Sequence, residues 1–493
     1  MKRILSLILT AIILMTTLAA CASNDAGTSD DTQPGDTASV NEGGDGDVPE
    51  VQTEENLYAD LPTGSYGDYT FRMLNVVSNY AYVLLTAEEL TGETINDAVF
   101  NRNSLVGERL GVNFTEKIVG WGEIAGVITN SVLADEDAYD IMFDEVQASI
   151  KYPSEQLMMD LFTIEGLNLD KPWWDAGSID TLSIGKSLFM VNGDIHLMYG
   201  ESAWVLFFNK KLMADYGFDS PYATVSDGKW TLDAFNQMIT QAAMDLDGDN
   251  KMTNDDRYGL GTHGDCALVM LTSAEEGLVY KNADNMPEWK DLPEKVFDIS
   301  TRTHEVFFNT DCVYMSGTTP AGPQNLEIVP HFLAGKSLFL LEVLGHAKTL
   351  RDMEDDFGIL PTPKLDEAQE NYSTFIARSA QTLMIPITNR DLDRTAVILE
   401  NLGAESYKSV RPAYYDVQLS GKTVRDPDSL KMLDIIFSNR RYEMAFIFGA
   451  SSAGTAYINA TRTGGDLASS LAASAKSIRK SMEKVLAPMM AEG

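Results

Sequence analysis

The chain has 493 residues, 44% of them hydrophobic and 22% charged, with 73 acidic against 37 basic side chains and a formal net charge of −36. That charge excludes nucleic acid as a partner, because nucleic acid needs a cationic face, and it excludes electrostatic docking on anionic lipid. The length exceeds the roughly 250–300 residues at which one hydrophobic core stops growing, so two domains are expected.

Lys2 and Arg3 precede an uncharged apolar run from Ile4 to Leu18. The run is shorter than the ~18–20 residues of a spanning helix and ends in small residues, so residues 1–21 read as a secretory signal. Its end, Leu18-Ala19-Ala20-Cys21, resembles the bacterial lipobox. The resemblance implies acylation of Cys21 and attachment to the extracytoplasmic face of the cell membrane through lipid alone, since several acyl chains anchor firmly. An ordinary secretion signal with an incidental cysteine is the alternative. Residues 22–56 hold ten Asp or Glu, no Lys or Arg and no aromatic residue. A segment this polar cannot offset its chain entropy by burial, so a disordered acidic tether is expected.

In the body, Tyr69–Val77 reads as a strand, with Phe71 and Met73 alternating. Ile95, Ala98, Val99, Val106 and Leu110 fall at helical spacing, Gly111–Val119 reads as a second strand, and Asp140–Phe143 as a third. Strand and helix in alternation predict a parallel sheet covered by helices. Ligands of such sheets sit beyond the carboxyl ends of the strands, which marks the residues after Val77 and Phe143 as a cleft rim. A second α/β region follows. Leu188–Val191 and Val205–Phe208 are apolar runs. Thr231 is placed to cap a helix striped by Phe235, Met238, Ile239, Ala242 and Ala243. Ser337–Leu341 and Phe357–Pro361 read as strands. Leu467, Leu471, Ile478, Met482, Val485, Leu486 and Met489 stripe a long terminal helix. Cys266 and Cys312 remain in the body, and the sequence leaves open whether they pair or stay as buried thiols.

The sharpest local motif runs from Asp245 to Asp256. Asp245, Asp247 and Asp249 at loop positions 1, 3 and 5, the Lys251 carbonyl and Asp256 at position 12 match a calcium loop, in which a hard cation gathers oxygens from one turn. Asn250 replaces the usual Gly but tolerates the left-handed turn, and Asp256 replaces the usual Glu. A structural Ca²⁺ is expected; the bland reading is a solvated acidic turn. Enzyme motifs are absent. Gly200-Glu-Ser-Ala-Trp204 lacks the last glycine of a nucleophile elbow, His304-Glu-Val-Phe-Phe308 lacks a second His, and His263 with Cys266 is a weak metal pair. No catalytic residue is assigned.

Sugars present flat C–H faces and a fringe of hydroxyls, so a sugar site needs aromatic plates beside carboxylates or amides. The candidate groups are Asp144, Glu145 and Gln147; Trp173, Trp174 and Asp175; Tyr199, Glu201 and Trp204; and Tyr414, Tyr415 and Asp416. Glu342 joins them as an acid following an apolar strand. For any one aromatic, core packing is the competing reading.

Several stretches then resemble the family 1 extracellular solute-binding proteins, in particular the lipoproteins of carbohydrate ABC importers. They are Leu206-Phe-Phe-Asn-Lys210, Met213 to Phe218, Gly228-Lys-Trp-Thr-Leu-Asp-Ala-Phe235, Phe332-Leu-Ala-Gly-Lys-Ser-Leu-Phe339, Phe357-Gly-Ile-Leu-Pro-Thr-Pro-Lys364 and Val410 to Asp416. The resemblance implies an α/β fold of two periplasmic-binding-protein-like lobes joined by hinge strands. The first lobe would take 57–172 and a return segment, 350–388; the second would take 173–349 and 389–493. It implies ligand contacts near Asp144 to Gln147, Tyr199 to Trp204, Glu342 to His346, and Tyr414 to Tyr415. The expected partners are a small carbohydrate and the permease subunits of an ABC importer, with the chain itself a monomer. A secreted glycosidase, or a peptide receptor of the same fold, is the alternative.

Overall fold

The computed structural model describes residues 54–490 except 79–80, 82–83, 317–326 and 420–426, and leaves aside the side chains of 54–56, 416–419, 427 and 490. Cys21, the signal segment, most of the tether and the Asp416 side chain lie outside the described residues.

The strands in chain order are β1 Tyr69–Val76, β2 Val112–Val119, β3 Ile141–Glu145, β4 Trp204–Asn209 and β5 Tyr258–His263. A small hairpin of β6 Tyr280–Lys281 and β7 Pro287–Glu288 follows, then β8 Val313–Ser316, β9 Ser337–Val343, β10 Phe357–Leu360, β11 Thr374–Phe375, β12 Gln381–Met384 and β13 Arg440–Arg441. They build one sheet in the order β12-β3-β1-β2 and another in the order β10-β4-β9-β5-β8. The expected parallel pairs form, β1 with β2 and β3, and β5, which the sequence did not mark as a strand, pairs in parallel with β8 and β9. β12, β4 and β10 run antiparallel to their neighbours.

The predicted helix is Thr94–Leu110, capped by the Glu93 carboxylate at one end and by Gly111, with φ of 63°, at the other. Gly is suited to that left-handed position because a Cβ would be strained there. The helix buries Ile95, Val99, Val106 and Leu110 as its spacing predicts, and Arg102 fills the missing place in the stripe. Arg102 is tolerated there because its guanidinium donates to the carbonyls of Leu85 and Ile195 and to Ser406, as a buried charge requires. Thr231 does cap the helix Leu232–Ala242. The terminal helix, Leu467–Leu486, buries Leu467, Leu471, Ile478, Met482 and Leu486.

Two chain segments cross between the halves side by side. The Ala377 amide donates to the Ser202 carbonyl at 2.9 Å, and Ala203 bridges Ile376. A third element, β13, pairs in parallel with β11 beside them. The half around the first sheet thus runs to Ser202 and resumes at Ala377. The helix Leu392–Glu405 packs against Thr94–Leu110 in that same half, and Arg109 pairs with Glu405 at 2.5 Å. These crossings differ from the expected ones at 173, 350 and 389. Phe357–Leu360 pairs with β4 in the second sheet, whereas Val191, expected in the second region, bridges Leu383 of the first sheet. Short apolar runs carry no sign of which sheet they join, and only their hydrogen-bond partners decide it. Cys266 and Cys312 are both free and buried.

Candidate functional site

Each sheet presents its carboxyl edge to the crossing. On the first, β3 ends in two consecutive acids, and strand alternation sends them to opposite sides. Asp144, 2% exposed, turns inward and accepts the Tyr152 hydroxyl at 2.5 Å. Glu145 is half-buried and accepts Gln147 Nε2 at 2.8 Å. Burial raises the Glu145 carboxyl above its usual range, and Arg378 opposes part of that rise. Beside it in register, Gln381 of β12 donates to the Val76 carbonyl at 2.8 Å, and its buried side chain also meets the His196 imidazole. Asn192 Nδ2 holds the Gln381 carbonyl at 2.7 Å, and Asn192 Oδ1 has no hydrogen-bond partner among the described residues.

On the second sheet, Trp204 opens β4, His263 closes β5, and Glu342 is the penultimate residue of β9. The three are brought together by register, with Trp204 opposite Val343 and Val205 opposite Glu342. His263 Nε2 lies 3.4 Å from Glu342 Oε2, and the Trp204 and His263 rings are tilted with centroids 4.9 Å apart. Burial alone would lower His263 and raise Glu342, but their mutual attraction wins on both. The imidazole is held above its usual range and the carboxyl below it. Trp204 is 2% exposed, and its Nε1 has no hydrogen-bond partner among the described residues.

Arg378 ties the two edges. Its carbonyl accepts the Gln147 amide at 3.3 Å, and its guanidinium reaches Asp265 at 3.1 Å and lies 4.4 Å over the Phe446 ring. An indole, side-chain amides, carboxylates and a guanidinium from both halves thus gather at the crossing, most of them buried. His263, Asp265, Arg378 and Gln381 were not picked out as site residues from the sequence. His263 ends β5 and Asp265 follows two residues later, but β5 is Tyr-Gly-Leu-Gly-Thr-His, without the apolar run that singled out Glu342.

The other candidates stand elsewhere. Trp173 and Trp174 are buried, and both indoles donate to Glu400, at 3.0 and 2.9 Å. Burial pushes that carboxyl up to about 7, the three N–H donors notwithstanding. Asp175 caps the helix Ala176–Leu182 and pairs with Arg440. Tyr199 donates to Asp194 at 2.8 Å beneath the Arg440 guanidinium. Asp194 also meets Arg411, whose Nε donates to Tyr415 at 3.1 Å. Tyr414 is 3% exposed, and Glu201 is fully buried in the turn packed on Leu344–His346.

In the acidic loop, carboxylate oxygens of Asp245, Asp247 and Asp249 lie within 4.8 Å of one another. Asn250 adopts φ of 60°, as the missing glycine requires. Asp256, expected to close the ion site, instead closes the loop, accepting the amides of Leu246 at 2.8 Å and Thr253 at 2.7 Å. Those amides hold its carboxyl below the usual range. Three converging oxygens suit a hard cation such as Ca²⁺.

No protein-family model and no curated protein sequence matches the chain. Solved structures do. The ABC substrate-binding protein Lmo0181 from Listeria monocytogenes, in complex with cycloalternan, is 10% identical and has a TM-score of 0.55 over 84% of this chain and 99% of that one. The GacH receptor of Streptomyces glaucescens, described unliganded and with acarbose, is 12% identical with a TM-score of 0.55 over 84% and 99%. RafE from Streptococcus pneumoniae is 13% identical with a TM-score of 0.54 over 86% and 99%. The chain has the two-lobed α/β fold of these solute-binding proteins. Among the described residues, no helix is long and apolar enough to cross a membrane.

Proposed function

We propose that the chain is an extracytoplasmic receptor that captures a sugar or oligosaccharide between its two halves and delivers it to an ABC importer. The observation that carries this reading is the crossing, where Trp204 Nε1 and Asn192 Oδ1 are buried without hydrogen-bond partners among the described residues. Orphaned polar groups cost about 1–3 kcal/mol each, and sugar hydroxyls, which both donate and accept, would satisfy both. The neighbours of the same fold solved with cycloalternan and with acarbose support the ligand class. A thermal-shift panel of neutral oligosaccharides tests it. A sugar at a hundredfold excess over Kd is expected to add about 2.7 kcal/mol of stability, and a panel that moves nothing would count against the reading.

Attachment is proposed through Cys21 alone. Cys21→Ser is expected to release the protein from the membrane fraction; a variant that stays there after a salt wash would place the anchor elsewhere. Asp245, Asp247 and Asp249 are proposed to hold a structural Ca²⁺. A chelator is then expected to lower the melting temperature, and Asp247→Ala to abolish that response. Identical melting curves with and without chelator would remove calcium from the account.

A further inference from the structure

A second cavity, about 600 Å³, opens beside β13, between the helix Ala176–Leu182 of the first half and two segments of the second, 272–281 and 437–444. Its volume is that of a small-ligand site, and it contains none of the cleft side chains described above.

Its wall holds one ionisable group left uncompensated. Glu443 is 3% exposed. Its Oε1 accepts the amides of Ala445 at 2.9 Å and Leu278 at 3.4 Å. Its Oε2 lies beside Gly277, where an added Cβ would stand 3.3 Å away, and no donor or cation meets it among the described residues. Most other charges around the cavity are engaged. Asp175 pairs with Arg440, Glu275 with Arg441 at 3.8 Å, Glu276 accepts Tyr280 and pairs with Lys295, Lys281 donates to the Asp180 carbonyl and Ser183, and the Lys290 ammonium lies 4.8 Å over the Tyr280 ring. Burial, with Glu443 adding to it, holds the Tyr280 and Tyr457 hydroxyls above their usual range, so neither carries a charge beside Glu443. Thr272 Oγ1 and the Tyr442 hydroxyl, of two residues on the cavity wall, are also buried without hydrogen-bond partners among the described residues.

A buried carboxylate needs a counter-ion as well as hydrogen bonds. A neutral hydroxyl would supply only the second, whereas a primary ammonium supplies charge and three N–H donors. We infer that this cavity is a second binding site, for a small molecule bearing a primary ammonium, with Glu443 as its counter-ion and the Thr272 and Tyr442 hydroxyls serving its remaining polar groups. Without such a partner, burial pushes the Glu443 carboxyl up to about 7. The site is independent of the sugar-receptor reading, because it uses different side chains.

The test is calorimetric titration of the whole chain at pH 8 with trans-4-aminocyclohexanol and with trans-cyclohexane-1,4-diol. The two have the same shape, and they differ by an ammonium in place of a hydroxyl. The amine is expected to bind saturably, and about tenfold or more tighter than the diol, as a charge-assisted bond requires. Glu443→Gln is expected to erase that preference. Gly277→Ala, which keeps the charge but places a methyl against Oε2, is expected to weaken the amine and decides the matter if the glutamine variant does not fold. Trp204→Phe, in the cleft, is expected to leave amine binding unchanged. Equal binding of amine and diol, no binding of either, or amine binding that survives Gly277→Ala would overturn the inference. Amine binding lost in Trp204→Phe would do so too, by placing the ligand in the cleft.

Discussion

Trp204→Phe is expected to leave the free protein within about 1 kcal/mol of wild-type stability while weakening sugar binding about tenfold. The indole packs on His263 at 4.9 Å and on Phe375 at 6.4 Å between ring centroids, contacts a phenyl ring largely keeps. What phenylalanine removes is Nε1, a buried donor with no partner among the described residues. Losing it relieves a desolvation penalty that offsets the small cavity created, so the two terms nearly cancel before ligand arrives. In the complex the same N–H is expected to donate to a sugar hydroxyl, and that bond is gone. Trp204→Ala removes the packing as well and is expected to cost about 3–5 kcal/mol of stability. Melting curves and a sugar titration on both variants separate the effects. A phenylalanine variant that binds sugar as wild type does would show that Nε1 does not meet the ligand.

Arg440→Met is expected to destabilise the fold by about 3–5 kcal/mol, because it strands a buried carboxylate. Arg440 sits in β13 at the crossing, pairs with Asp175 and lies 4.7 Å over the Tyr199 ring. The Asp175 side chain is 1% exposed. Without the guanidinium its remaining partner is the Ser178 amide at 2.6 Å, the cap of the next helix. Adding Asp175→Asn removes the stranded charge but keeps the capping oxygen, so the double variant is expected to be more stable than Arg440→Met alone. Chemical denaturation of the single and double variants measures this. A single variant within about 1 kcal/mol of wild type would mean that the pair is solvated.

Much of the fold was legible because periodicity is local. The alternation in Tyr69–Val76, the helical stripe from Ile95 to Leu110 and the apolar strands β4 and β9 each declare themselves within a dozen residues. Allegiance is not local. Phe357–Leu360 and Leu188–Val191 are apolar whichever sheet they join, so the crossings were misplaced until pairing with β4 and with Leu383 was seen. The site divides in the same way. Glu145, Trp204 and Glu342 could be named as candidates because strand ends can be read from sequence. Trp173 and Trp174 looked like sugar plates because nothing near them in the chain announces Glu400, 227 and 226 residues away. Arg378 escaped notice for the same reason, since its partner Asp265 is 113 residues distant.

Receptor and glycosidase part on one point: a receptor returns its ligand unchanged. The most direct measurement is a calorimetric titration with the sugar that gives the largest thermal shift, followed by mass analysis of the sugar recovered after prolonged incubation. Saturable binding of one sugar per chain, with the sugar recovered intact, is the result expected of a receptor closing on its ligand. Shorter or hydrolysed products in the recovered material, or no saturable heat with any sugar, would contradict it.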